Sequence, residues 1–239
     1  GEPSGQVSYR GMSGERINLR IDGQRFASGG PNLMDPVFHY APSPLVDVVV
    51  IDRGVGPVSD GPGLGGGADA VYKRVDFATG DTPEFEYDLT LSGRTVNDGL
   101  ILGGMVGAAT EKWRLSLLGS HEEAGDTAFP GGTIAGTGFE RGAFGLSGDL
   151  KTEFGVIGID LRRHNTGPSG NPPFPMDIVY FDTDFARVRY AHTIRGVDIE
   201  GSFNSADVTH LMDNFSQRPS PSPMQTRATF ADGTTVGFD

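Results

Sequence analysis

The chain of 239 residues contains no cysteine. Disulfides, thiolate metal sites and cysteine nucleophiles are thereby excluded, while the cellular compartment stays open. Long apolar runs are missing too. Hydrophobic residues make up 36% of the chain, the mean hydropathy is −0.25, and no stretch approaches the roughly 18 residues that a membrane-spanning helix requires. Helical membrane proteins are ruled out by this, but membrane β-barrels are not, because their strands show only every second side chain to lipid. Basic residues are scarce, 19 Lys and Arg against 31 Asp and Glu, for a formal charge of −12. Nucleic-acid binding needs a basic footprint, so no nucleic-acid partner is expected. The acidity suits the attraction of cations and also serves simple solubility. No serine stands in a G-x-S-x-G context, and His121-Glu122-Glu123 lacks the second histidine of a zinc helix. No nucleophile–base–acid set results, and an enzyme is not expected.

What the chain has in abundance is glycine, 37 residues, and a period-two pattern of side chains. Ile17, Leu19 and Ile21 alternate with polar residues and run into Asp22-Gly23, a strong hairpin signal. The apolar run 46–51 predicts a buried strand, and it is followed by a literal G-x-G-x-x-G at Gly61, Gly63 and Gly66. A dinucleotide site would need a helix next, with its N-terminal N–H groups aimed at the pyrophosphate. The sequence instead sets Val71, Lys73 and Val75 against Tyr72, Arg74 and Asp76, which is strand periodicity. No cofactor is expected there.

From residue 84 the alternation becomes insistent: Phe85, Tyr87, Leu89, Leu91; Trp113, Leu115, Leu117; Phe144, Leu146, Leu150; Ile157, Ile159, Leu161; and Val197, Ile199, Phe203. A longer, less regular strand over 177–192 puts Ile178, Tyr180, Ala186, Val188 and Tyr190 on one side. About seven strands fit into residues 84–209. After a tight turn at Asn97-Asp98-Gly99 the connections go short and long in turn: 109–112, 124–138, 151–153, 165–176, 192–196, and then the stretch beginning at Thr209. Long loops on one rim and short turns on the other are the habit of an outer-membrane barrel. A soluble β-sandwich or solenoid also alternates. Strands of about ten residues, where soluble ones average about five or six, weigh toward the barrel.

The residues of 48–71 resemble the closing signature of the plug domain in TonB-dependent outer-membrane receptors. The matching positions are Arg53, Gly54, Pro57, Ser59, Gly61, Gly65 and Gly66. Residues 17–26 resemble an earlier plug strand–turn–strand, while Asp60 and Ala68-Asp69-Ala70 depart from the usual pattern. The resemblance implies a mainly β fold: residues 1–76 as the C-terminal part of a plug, and 77–239 as the first strands of a transmembrane antiparallel barrel. About seven of about 22 strands would be present, leaving an open sheet with bare edges. The chain is accordingly expected to be a fragment or processed piece, without its targeting segment and without the first half of the plug.

Within that family, two stretches resemble the copper-receptor branch. At the plug apex, Met34 matches the methionine of a C-x-x-x-M pair whose cysteine position is Gly30 here, and His210 and Met212 match an H-x-M placed in a long extracellular loop. Pro175-Met176-Asp177 is a further likeness. Thioether and imidazole are soft and borderline donors that favour Cu(I), and residues two apart in an extended chain face the same way. Met34, His210 and Met212 are therefore the candidate metal residues, with His39, Asp35 and Asp213 as outer-sphere partners. The resemblance implies a receptor in the bacterial outer membrane, in contact with its lipid, that needs no cofactor and takes up a metal ion or small chelate. Copper is the expected cargo, and the energy comes from the TonB complex acting through a segment outside this chain. A ferric-siderophore or cobalamin-type receptor is the alternative within the family, and a passive porin-like barrel the alternative outside it.

Overall fold

The computed structural model describes residues 5–25, 36–54, 56, 61, 63–219 and 222–238. Two short strands, β1 (Ser8–Tyr9) and β2 (Met12–Ser13), precede β3 (Asn18–Ile21), β4 (Val46–Arg53) and β5 (Gly66–Tyr72). The long strands begin with β6 (Glu84–Arg94), β7 (Gly99–Ala109) and β8 (Trp113–Ala124). A small hairpin follows, β9 (Thr127–Phe129) with β10 (Gly132–Ile134). The chain continues through β11 (Phe139–Thr152), β12 (Gly155–Thr166), β13 (Asp177–Ile194), β14 (Val197–Asp213) and β15 (Ala228–Phe238). Helical structure among the described residues is confined to single 3-10 turns.

β6, β7, β8 and β11–β15 form one eight-stranded sheet in chain order, and every neighbouring pair is antiparallel. The seven strands expected within residues 84–209 are β6, β7, β8 and β11–β14, and β15 adds an eighth beyond that range. The connections alternate as expected. Turns at 110–112, 153–154 and 195–196 share one rim, and the longer segments 125–138, 167–176 and 214–227 share the other.

The two faces of this sheet are inverted relative to a soluble protein. Outward-facing Phe85 is 83% and Leu89 67% exposed, whereas inward-facing Ser116, Asp160 and Asn204 are 1%, 3% and 2% exposed. A soluble sandwich would bury those apolar side chains against a second sheet, so the soluble alternative fails on this point. The outward belt also drifts across the sheet. The register row that reads Leu91 and Leu102 on β6 and β7 continues as His121, Gly142, Asn165, Asp182, Thr209 and Asp232. On β14 the exposed apolar residues, Val197, Ile199 and Phe203, sit nearer the short-turn rim. Such a stagger is what tilted strands in a closing barrel produce.

One strand breaks the alternation that the sequence predicts. Ile178 pairs with Met212 and Tyr180 with Leu211, so Val179 is an extra residue at a bulge. Ile178 turns inward and becomes buried, while Tyr180 stays on the outward side with Ala186 and Val188. Grouping Ile178 with Tyr180 was therefore incorrect.

The inner face is covered by the N-terminal segment. A second sheet of order β3-β5-β4, with β3 parallel and β4 antiparallel to β5, packs there. Ile21, Tyr40, Leu45, Tyr72 and Val75 share one core with Met105, Leu118, Phe185 and Val208 of the large sheet. β4 departs from expectation: Val48, Val49, Val50 and Ile51 are exposed at an edge rather than buried. No helix follows Gly66, which instead opens β5. A Cβ at Gly66, where φ is +109°, would lie within 2.2 Å of the Asp52 carbonyl oxygen on β4. The glycine thus serves close strand approach, and the nucleotide motif is architectural.

Candidate metal centre

The elements that carry the candidate residues meet at the long-loop rim. β14 extends through His210 and Met212 to Asp213, so these residues stand in the strand and not in the loop as the resemblance implies. Both point inward, and both are fully buried. In strand register His210 lies between Phe181 of β13 and Ala231 of β15, and Met212 between Ile178 and Thr229. The His210 imidazole stacks on Phe181 at 4.8 Å between centroids and 24° between planes. Met212 forms a small core with Ile178 and Phe181, against which Met176 packs.

The N-terminal segment reaches this point through His39, on the 3-10 turn Val37–Tyr40. Its ring meets Phe181 edge-on at 5.4 Å, and its Nε2 lies 2.9 Å from Thr166 Oγ1 at the end of β12. Both imidazoles therefore touch the same phenyl ring. Met34, the third expected ligand, lies outside the described residues, as do Gly30 and Asp35. Asp213 is engaged in the local turn, where it accepts the N–H groups of Phe215 and Ser216 at 3.1 and 2.9 Å and the Ser216 hydroxyl at 2.8 Å. Among the described residues no three of His, Asp and Glu converge as a hard-donor metal cluster.

Two loops are tied together above the pair. Arg218 Nε donates to Asp177 Oδ2 at 2.6 Å, its Nη2 donates to Oδ1, and its Nη1 donates to the Phe174 carbonyl at 3.2 Å. Asp177 Oδ1 also accepts the Asn171 N–H at 2.8 Å, and hydrogen bonding to that carboxylate raises the pKa of Arg218. Sequence reasoning missed this clamp, since a loop arginine 41 residues from its partner leaves no local signal. An open cleft of about 620 Å³ adjoins the loops, with Asp98, Glu123, Asp126 and Glu140 among its lining residues.

Below the rim, charged groups join the N-terminal segment to the sheet. Asp22, at the left-handed Asp22-Gly23 turn, accepts the Tyr72 N–H and the guanidinium groups of Arg74 and Arg162, each at 2.9 Å. Arg74 also pairs with Asp160 at 3.2 Å, and Asp160 with Arg189 at 2.7 Å. Burial opposes the charge on Arg74, but Asp22 and Asp160 outweigh it and hold the guanidinium protonated. Burial pushes the Tyr72 phenol well above its ordinary range, which keeps its hydroxyl a donor to the Tyr40 carbonyl at 2.6 Å.

With an inverted sheet, a covered inner face and soft donors beneath the loops, the comparison with known structures is informative. The chain is similar to the copper transporter OprC. The TM-score is 0.87 at 20% sequence identity, and the match covers 98% of this chain and 36% of that one. No family model matches the chain, and no curated protein does. The likeness establishes the fold as a mainly β, partial antiparallel barrel with a segment packed on its inner face. It is a likeness to a transporter, not to an enzyme. The chain spans about a third of OprC's length, 36%.

Proposed function

We propose that this chain is part of a TonB-dependent receptor of the bacterial outer membrane that takes up copper. Residues 1–76 act in this reading as the later part of the plug, and 77–239 as the first strands of the barrel wall. The carrying observation is the inward placement of His210 and Met212, fully buried at the long-loop rim, with His210 against the same phenyl ring that His39 of the N-terminal segment touches. A thioether and an imidazole in a dry setting suit a soft monovalent ion. The apolar outward belt and its stagger support embedding in lipid.

A cation would be drawn to the acidic loops by long-range attraction. It would then lose water in exchange for His210, Met212 and Met34, and be carried inward when the energising complex pulls on the plug. The contact between segment and sheet combines an apolar core with buried ion pairs around Asp22, so the pull must supply the energy to part them. The acid-lined cleft also favours a cation over an anionic ferric chelate. A passive porin-like barrel accounts less well for an inner face occupied by Asp22, Arg74 and Tyr72.

The test is Ag(I) or Cu(I) titration of the intact protein in detergent. Met34→Ala combined with His210→Ala should weaken binding by about tenfold or more, the loss expected for removed ligands. Unchanged affinity in the double variant would refute the assignment.

A further inference from the structure

Met176 is not among the ligands assigned above. It is the last residue of the loop 167–176, immediately before β13, and it is partly exposed, whereas Met212 and His210 behind it are fully buried. Its side chain packs against the core of Met212, Phe181 and Ile178. Its sulfur lies 3.7 Å from the hydroxyl of Thr229, the strand partner of Met212. The backbone beside it is held firmly, since Asp177 is clamped by the Arg218 guanidinium and by the Asn171 N–H. A thioether so placed lies against the buried core that holds Met212, and the residue after it is fixed by the clamp.

We infer that Met176 is a further soft donor of this centre, taking the cation at the loop side and sharing it with Met212 and His210. The inference rests on the proposed copper site and deepens it. In a chain without cysteine, all donors in such a set are neutral, which selects a soft monovalent cation over Zn(II) and other borderline dications. Filler packing is the competing role for any methionine, and leucine can take over packing but not coordination.

The experiment compares Ag(I) and Zn(II) binding by the intact protein with that of Met176→Leu and Met212→Leu. Met176→Leu should weaken Ag(I) about tenfold, narrow the preference for Ag(I) over Zn(II), and leave the unfolding temperature unchanged. Should Met212→Leu weaken Ag(I) while Met176→Leu does not, the role of Met176 is overturned and the copper reading stands. No effect in either variant sinks both. A second measurement needs no variant: peroxide oxidation of the unaltered protein followed by mass spectrometry. Ag(I) should protect the partly exposed Met176 from conversion to the sulfoxide but not Met224, which is 89% exposed in the loop 214–227. Oxidation of Met176 at the same rate with and without Ag(I) overturns the inference.

Discussion

Asp22 ties the N-terminal segment to the sheet. Its left-handed backbone closes the turn in which Ile21 and Gln24 exchange hydrogen bonds, and its carboxylate, 3% exposed, joins Arg74 to Arg162. Removing one member of a buried ionic set leaves the others desolvated without compensation, at a cost of about 3–5 kcal/mol. Asp22→Ala should therefore lower stability in detergent by that order and speed hydrogen exchange in β3 and β5. Asp22→Asn, which still accepts the Tyr72 N–H, should do less harm. Exchange rates in β3 and β5 unaffected by Asp22→Ala would show that the segment is held by its apolar core alone. The turn itself was legible, since Asp-Gly after an alternating run signals a left-handed pair. The partners were not, because Arg162 lies 140 residues away.

At the scale of the element, the bulge in β13 decides what the rim looks like. Side chains in a strand alternate strictly, so one extra residue moves everything beyond it to the opposite face. Val179 is that residue: with it, Ile178 turns inward beside Met212 and Phe181, and Asp177 meets Arg218. Deletion of Val179 should remove the bulge and leave a regular ladder in which Ile178 still pairs with Met212 and Asp177 with Asp213, because Tyr180 keeps Leu211 as its partner. The expected result is unchanged strand content by circular dichroism, an intact clamp and unchanged Ag(I) affinity. A loss of Ag(I) affinity in the deletion would show that the extra residue itself shapes the site. The irregular reading of 177–192 was the trace of this bulge in the sequence, but periodicity alone cannot tell where an extra residue sits. The apolar run of β4 shows the opposite failure. Four consecutive large aliphatic residues predict burial, yet β4 is an edge strand with Val48–Ile51 open to solvent.

For the whole molecule, the proposed reading turns on the apolar outward face of the sheet meeting lipid. The chain has no cysteine, so single introduced thiols report position without background. Asp126→Cys, in the loop 125–138, should react with an impermeant maleimide on intact cells. Glu153→Cys, at a short turn on the other rim, should react only after the outer membrane is breached. Leu161→Cys, on the apolar belt, should resist the reagent in both conditions. Rapid labelling of Leu161→Cys in intact membranes would remove the case for an outer-membrane barrel. The two open edges of the sheet, β6 and β15, would be paired by further strands in a closed barrel.

Alternation, turn chemistry and loop parity are local properties, written within ten or so residues, and they determined the antiparallel strands, their two rims and the absence of a helix after Gly66. The H-x-M spacing likewise ensured that His210 and Met212 share a face. Which face is the dry one, that β14 carries the pair into the sheet, and that Met176, Phe181, His39 and the Arg218 clamp gather around it were decided only by tertiary structure. The physical reason is that burial and pairing depend on groups brought together across long stretches of chain by strand register and by a single bulge, and neither leaves a periodic mark.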